Sequence, residues 1–428
     1  MTELIDRPTY LDDLQRWRDR PIVKVVTGVR RCGKSTLLTL FRRRLLDEGV
    51  PPSRILELNM EDLANAALAA DYRALHQHIV DRLEGTGTTY VFLDEIQLVE
   101  GFERAIDSLH LRQDVDLYLT GSNAQMLSGD LASLISGRYV ELRMLPLSFA
   151  EYVAARRSRA ARDQDVTLPA LYGDYLTYGS FPFVVELAPD RRAVDDYLDG
   201  LVATILLKDV SKRLGIANPT LLQDVAAFLF SNVGSLTSLR RIADALSSMG
   251  RVTGEDRSRR RSPHTVERYV TGLSDAYLFY PVERWDVQGL RRLAGPAKYY
   301  AVDPGMRHAM VGYAGRDLGR VLENVVYLEL RRRHRRVTVG RSGRGEIDFV
   351  VGEGGDVMYV QVAQSVLDPA TLDRELAPLL AVRDHRHKVL LTLDAGPNVT
   401  HDGIVQTNAL TWLATAPPRS VISTGPVP

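Results

Sequence analysis

The chain has 428 residues, 45% of them hydrophobic and 25% charged, which leaves room for two or three globular domains with sizeable cores. Basic and acidic residues balance at 54 each, so no global field draws the chain to nucleic acid, and any such binding must come from local basic patches. The one cysteine excludes an internal disulfide framework, no apolar run approaches the ~18 residues of a membrane span, and the N-terminus lacks a signal-length apolar core; a cytoplasmic protein without membrane association is expected.

Tyr10, Leu11, Leu14 and Trp17 recur at helical spacing and predict a short helix covering the first strand. An apolar run from Ile22 to Val26 then ends in Gly28-Val29-Arg30-Arg31-Cys32-Gly33-Lys34-Ser35, and a helical run follows with Leu37, Leu38, Leu40 and Phe41. This is the G-x-x-x-x-G-K-[ST] phosphate loop in its context of strand, loop and helix. Two glycines let the backbone curl so that successive N–H groups face inward, and the helix N-terminus adds its positive dipole end. Lys34 is expected to reach the β- and γ-phosphates of ATP, and the Ser35 hydroxyl to ligate Mg²⁺. Gly28, Val29, Arg30, Arg31, Cys32, Gly33, Lys34, Ser35 and Thr36 form the expected nucleotide cradle, with Cys32 a small loop filler.

A strand over Ile55 to Met60 and a helix from about Tyr72 to Leu83 come next. The buried-strand run from Thr89 ends in Asp94-Glu95, a Walker B form: Asp94 would hold Mg²⁺ with Ser35, and Glu95 would polarise the attacking water as general base. A further strand, Asp116 to Thr120, leads into Gly121-Ser122-Asn123. Asn123 is the candidate to sense the γ-phosphate, Ser122 is second, and a plain Asn-capped turn is the alternative. Arg138 precedes a fifth strand, Tyr139 to Leu145, and is either an arginine finger for a neighbouring subunit or an ordinary surface arginine. Five strands alternating with helices predict an α/β parallel sheet wrapped on both faces.

The segments YLDDLQRWRDRPIVKVVTGVRRCGKSTLL, LNMED, VFLDEIQ, LTGSNAQML, ISGRYVELRMLPLSFAEY and YLTYGSFP resemble the AAA+ ATPases of bacteria and archaea that carry a C-terminal domain of unknown function. The resemblance implies a P-loop NTPase (AAA+) core over 1–150, a helical region over 151–215, a winged-helix domain over 216–302 and a restriction-endonuclease-like α/β domain over 303–414; the Pro-rich, small-residue composition of 415–428 predicts a flexible tail.

Within the winged-helix segment, Leu221 to Leu229 form a first helix, Ser238 caps a second, and Pro263 to Ala276 form a third, followed by strands at Leu278 to Glu283 and Lys298 to Val302. His264 and Arg268 on the third helix would face double-stranded DNA, and Arg257, Arg259, Arg260 and Arg261 in the preceding linker would neutralise phosphates. The alternative is a winged helix that binds protein or braces the ATPase core.

In the C-terminal domain, helix Leu318 to Glu329 carries Glu323 and runs into six basic residues, Arg331 to Arg336, which its dipole favours; a phosphate-binding role is the alternative. Strands follow at Glu346 to Val351, Met358 to Ala363 and Val389 to Leu393. A nuclease site of this fold needs an Asp and then a Glu-x-Lys. Asp348 supplies the first, and Glu323 can add a carboxylate. The next strand reads Gln361-Val362-Ala363 and lacks both the second carboxylate and the lysine, so the domain is expected to be degenerate. The reading is an ATP- and Mg²⁺-dependent ATPase, a homo-oligomer acting on DNA. The alternatives are a nucleotide switch that binds a protein partner and, less favoured, a metal-dependent nuclease.

Overall fold

The computed structural model describes residues 4–83, 85, 87–127, 137–159, 166–216, 218–248, 262–312, 317–343 and 345–415. These fall into two compact units, the first running to Pro146 and reclaiming Asp275–Tyr277, the second holding the rest from Leu147 onward.

The first unit follows the expected alternation: α1 (Pro8–Trp17), β1 (Val23–Thr27), α2 (Lys34–Asp47), β2 (Ile55–Asn59), α3 (Ala66–Ala70), α4 (Tyr72–Val80), β3 (Thr89–Asp94), α5 (Phe102–His110), β4 (Val115–Gly121) and β5 (Tyr139–Arg143). The strands form one sheet in the order β2-β3-β4-β1-β5, with every pairing parallel. Period-two side-chain alternation divides its faces. Val23, Val25, Val91, Leu93, Leu117 and Leu119 pack with Leu75 and Ile79 of α4 and Ile106 and Leu109 of α5. On the other face Phe41 of α2 meets Phe92 and Tyr118, whose rings stack at 4.8 Å. Lys24, the one charge inside β1, is fully buried and ion-paired with Asp116. Parallel register brings the strand ends into line, with Asn59 opposite Asp94 and Thr27 opposite both Gly121 and Arg143.

The turn Asp275–Tyr277 belongs with this unit although its neighbours in sequence do not. Tyr277 is buried at φ 58°, and its hydroxyl donates to Glu141 Oε1 at 3.4 Å. The same carboxylate accepts from Thr27 Oγ1 at 2.7 Å and from Arg143 Nε at 2.8 Å.

The second unit begins with helices Phe149–Arg159, Leu168–Tyr178, Pro182–Leu187 and Arg191–Thr204, the last running on as a π-helical stretch, Ile205–Lys212. The YGSFP motif has a structural reason here. Buried Asp303 accepts from the Ser180 backbone N–H and hydroxyl, both at 2.6 Å, and Gly305 packs so closely on Gly179 that a Cβ there would meet its backbone at 2.5 Å. Helices Pro219–Ser231, Leu239–Ser248 and Pro263–Asp275 follow, and Ser238 accepts from Arg241 N–H at 3.1 Å as a cap. Next come β6 (Phe279–Asp286) and β7 (Arg291–Ala301), the second bridged by Thr237, then helices Pro304–Val311 and Leu318–Arg333. The chain closes with β8 (Val337–Ser342), β9 (Gly345–Val351), β10 (Met358–Ala363), helix Pro369–Leu380, β11 (His387–Thr392), β12 (Val399–His401), β13 (Ile404–Asn408) and helix Ala409–Ala414.

The expected boundary at 302 runs through a continuous sheet. β6 and β7, read from sequence as the strands of a separate winged-helix domain, join the C-terminal strands in the order β12-β13-β11-β10-β9-β8-β6-β7. Residues Arg284 to Asp286 of β6 pair in parallel with Val339 to Arg341 of β8, which binds the two regions into one body. Strand β7 also extends well before Lys298. Its first residues are mostly exposed, two arginines followed by a stretch broken by Gly295 and Pro296, so no apolar run marks them. Residues 416–428 of the expected tail lie outside the described residues.

Candidate functional site

The phosphate loop leaves β1 at the C-terminal edge of the first sheet. Gly28 (φ 151°), Arg31 (φ 67°) and Gly33 (φ 105°) take left-handed backbone conformations, which curl the segment into a nest ahead of α2. A Cβ on Gly28 would lie 2.2 Å from the Met144 carbonyl oxygen, so only glycine fits. Lys34 is buried and folds over the loop. Its Nζ donates to the Gly28 carbonyl at 3.1 Å and the Val29 carbonyl at 3.4 Å and lies 3.7 Å from Glu95 Oε1. Ser35 is exposed and Thr36 half-buried at the start of α2. Val29 is buried, whereas Arg30 reaches outward to Glu61 Oε1 at 3.2 Å. Cys32 is buried against the Met144 carbonyl, and burial pushes its thiol pKa up, against the pull of Lys34 and Arg7. A thiolate role is thereby disfavoured.

The acidic pair follows β3 at the same edge. Both side chains are buried, and one residue of β4 ties them together: Thr120 Oγ1 donates to Asp94 Oδ1 and accepts from the Glu95 backbone N–H at 2.9 Å. Glu95 adopts φ 52°, and its carboxylate accepts from Gln97 Nε2 and from Ser122 Oγ at 3.2 Å. Asn123 is half-buried one position further on. The loop, Lys34, Asp94, Glu95 and the β4 terminus thus share one edge. Arg138 does not. It precedes β5 beside Val23, at the opposite ends of the strands, and pairs with Asp107 at 3.4 Å. Thr120, Gln97 and Arg7 were not legible as site residues; a lone polar residue closing the apolar run of β4 was the only available hint for Thr120.

On the third helix of the expected winged-helix segment, His264 is exposed, while Arg268 donates to the Leu214 carbonyl. Arg257, Arg259, Arg260 and Arg261 lie outside the described residues.

In the second unit Asp348 and Glu323 do converge, but on a cation of the chain itself. Lys298 Nζ from β7 lies 2.7 Å from Glu323 Oε1, 2.7 Å from Glu346 Oε1 and 3.4 Å from Asp348 Oδ1, and Tyr300 donates to Glu323 at 2.6 Å. Asp348 Oδ2 also accepts from the Val362 N–H at 3.0 Å, and Gln361 accepts from the Asp348 N–H at 3.2 Å while donating to Glu375 at 2.8 Å. Burial works to lower the Lys298 pKa, and attraction to Glu323, Asp348 and Glu346 overrides it, holding the ammonium well above its ordinary range. Asp348 is pushed up to about 7, first by burial and then by Glu323, against the pull of Lys298. Among the described residues no group of three or more His, Cys, Asp or Glu is arranged to hold a metal ion.

The order of the first sheet, with the nest after its first strand and the carboxylates after its third, is the arrangement of P-loop ATPases of the AAA+ class. Residues 20–153 match the AAA domain family, and residues 170–317 match a domain of unknown function (DUF8612). An uncharacterized protein of Haemophilus influenzae is 35% identical over 411 residues, covering 96% of this chain and 98% of its own length. Another, from Methanocaldococcus jannaschii, is 25% identical over 351 residues, covering 79% of this chain and 74% of its own. The chain belongs to this family of AAA+ ATPases with a C-terminal domain of unknown function, as the sequence resemblance implied.

Among solved structures, ORC1 of Aeropyrum pernix in complex with DNA matches with 14% identity and a TM-score of 0.33, over 72% of this chain and 92% of that one. AMPPCP-bound DnaA of Aquifex aeolicus matches with 15% identity and a TM-score of 0.33, over 65% and 90%. No helix of the described residues is long and apolar enough to cross a membrane.

Proposed function

We propose that the chain hydrolyses ATP with Mg²⁺ and couples its nucleotide state to movement of the second unit. The observation that carries this is the buried Lys34, poised between the curled loop and the Glu95 carboxylate, with Asp94 and Glu95 fixed by one threonine. These residues fit a triphosphate and its metal: left-handed glycines leave room for phosphate against backbone, and a hydroxyl and a carboxylate stand at the mouth. Ser35 and Asp94 would hold Mg²⁺, which when bound neutralises charge on the phosphate oxygens. Lys34 would exchange its loop carbonyls for phosphate oxygens. Glu95, aimed by Ser122 and Gln97, would take the proton of the attacking water, and Asn123 would orient that water. Arg138, remote from its own chain's loop and paired with Asp107, would reach a nucleotide only across the interface of the proposed homo-oligomer.

Phosphate release by the native chain and by Glu95→Gln tests the assignment. The variant should bind ATP normally and lose activity by about 10²–10⁴-fold, the usual contribution of a general base. Equal rates would remove Glu95 from the role.

Double-stranded DNA is the proposed partner of the second unit. The order of three helices and a hairpin, with Thr237 bridging to Ala297 of β7, supports a winged helix, and its third helix presents His264 to solvent. The DNA reading requires duplex binding that weakens steeply with salt. No binding at low salt, with or without ATP, would replace DNA by a protein partner. Cleavage by the second unit is not part of the proposal, because β10 carries Gln361 and Ala363 where the motif needs a second carboxylate and a lysine.

A further inference from the structure

Ahead of α1 lies a buried cation that the nucleotide motif does not include. Arg7 is 2% exposed, and its guanidinium donates to three backbone carbonyls: Cys32 at 3.2 Å, Leu145 at 2.7 Å and Pro146 at 3.5 Å. It lies 5.0 Å from the centre of the Tyr10 ring, and the Tyr10 hydroxyl accepts the Leu145 N–H at 3.0 Å. Cys32 is the middle of the phosphate loop. Leu145 and Pro146 are the last residues before the chain passes into the second unit. The strip from Met144 to Pro146 is also the surface on which the loop rests, because the Met144 carbonyl excludes a Cβ from Gly28 and the Met144 N–H donates to the Thr27 carbonyl at 2.7 Å. One planar fork thus spans the loop and the exit from the first unit, geometry that a single-point lysine cannot reproduce.

We propose that Arg7 is a positioning residue: it holds the loop in its phosphate-accepting curl against residues 144–146 and ties changes of the loop to that exit segment. The proposal rests on the nucleotide reading above and adds the route by which nucleotide is felt beyond the loop. When phosphate draws Lys34 away from the Gly28 and Val29 carbonyls, the loop shifts with its Cys32 carbonyl still bound to Arg7, and the strain passes to Leu145.

The test uses the full chain, with Arg7→Met and Arg7→Lys compared by calorimetry with a non-hydrolysable ATP analogue and Mg²⁺, and by hydrogen exchange of peptides covering 28–35 and 142–147. In the native chain the analogue should slow exchange in both segments. Arg7→Met should weaken binding by about ten- to a hundredfold, the loss of charge-assisted hydrogen bonds, and should confine the exchange response to the loop. Arg7→Lys should recover part of the affinity and little of the response at 142–147; it also keeps the test decisive if Arg7→Met does not fold. A merely structural role would lower stability and leave the response at 142–147 intact in the folded variant, and that result overturns the proposal. Absence of analogue binding by the native chain would instead overturn the nucleotide reading and this inference with it.

Discussion

Replacing Lys298 by Met removes the one ammonium shared by Glu323, Glu346 and Asp348. At the observed separations of 2.7, 2.7 and 3.4 Å each attraction amounts to about 5–6 kcal/mol at an effective dielectric near 20. Most of that offsets the cost of burying the charges, so the net loss should be nearer the ~3–5 kcal/mol typical of orphaning a buried ion pair. The variant has a partial escape, since its Asp348 carboxyl can take up a proton. In the native protein Asp348 is already raised to about 7 against about 3.9 when unfolded, so the folded state binds a proton that the unfolded state does not. Its contribution is therefore full below pH ~4 and lost, at about 1.4 kcal/mol per unit, as pH rises to about 7. Without Lys298 the Asp348 carboxyl loses its attracting cation, and the same sign applies more strongly. Destabilisation of Lys298→Met should be about 3–5 kcal/mol at pH 8 and shrink to about 1–2 kcal/mol at pH 5. Urea unfolding followed by fluorescence in a Trp17→Phe background isolates the second unit, which contains the other two tryptophans, Trp285 and Trp412. A loss below about 1 kcal/mol at pH 8, or an equal loss at both pH values, would refute the charge-based account.

Gly28→Ala should cost the first unit about 1–3 kcal/mol and abolish ATP binding, because its Cβ would press on the Met144 carbonyl at 2.2 Å. Thermal unfolding and calorimetry check this, and a native-like affinity would show that the loop has more room than described. Thr120→Val keeps the strand shape but deprives Asp94 of a donor and the Glu95 N–H of an acceptor. It should destabilise by about 1–3 kcal/mol and lower phosphate release more than nucleotide affinity. Unchanged turnover would mean that the acidic pair holds its position without that hydroxyl.

The ATPase unit was readable because its elements coincide with local patterns. Apolar strands end at the sheet edge where Gly28, Asp94 and Gly121 stand, and the glycine spacing of the loop has one geometric solution. Arg7 escaped because nothing nearby in sequence marks it, and Thr120 because its one local mark, a polar residue closing an apolar strand, is too common to single it out. Arg7 bonds to a carbonyl 138 positions away, and a threonine in a strand is ordinary β-sheet chemistry. The second unit was harder for the same reason on a larger scale. The absence of Glu-x-Lys at Gln361 and Ala363 was visible, yet the cation that pairs with Glu323 and Asp348 comes from β7, 25 to 50 positions away. Strand β8 lies directly after a run of arginines that masked it. Those arginines turn out to be fasteners: Arg333 binds Glu329 at 2.7 Å and lies 4.2 Å from the Trp412 ring centre, and Arg336 lies over Trp285.

The turn carrying Tyr277 means that the first unit is not written in one continuous stretch of gene. A fragment stopped at Pro146 would omit the tyrosine that covers Glu141 and, through it, Thr27 at the threshold of the loop. Recombination that swapped everything after Pro146 for an unrelated module would strip that carboxylate of its tyrosine partner while leaving Thr27 and Arg143 on it. A module border at Pro146 therefore does not coincide with the border of the folded unit.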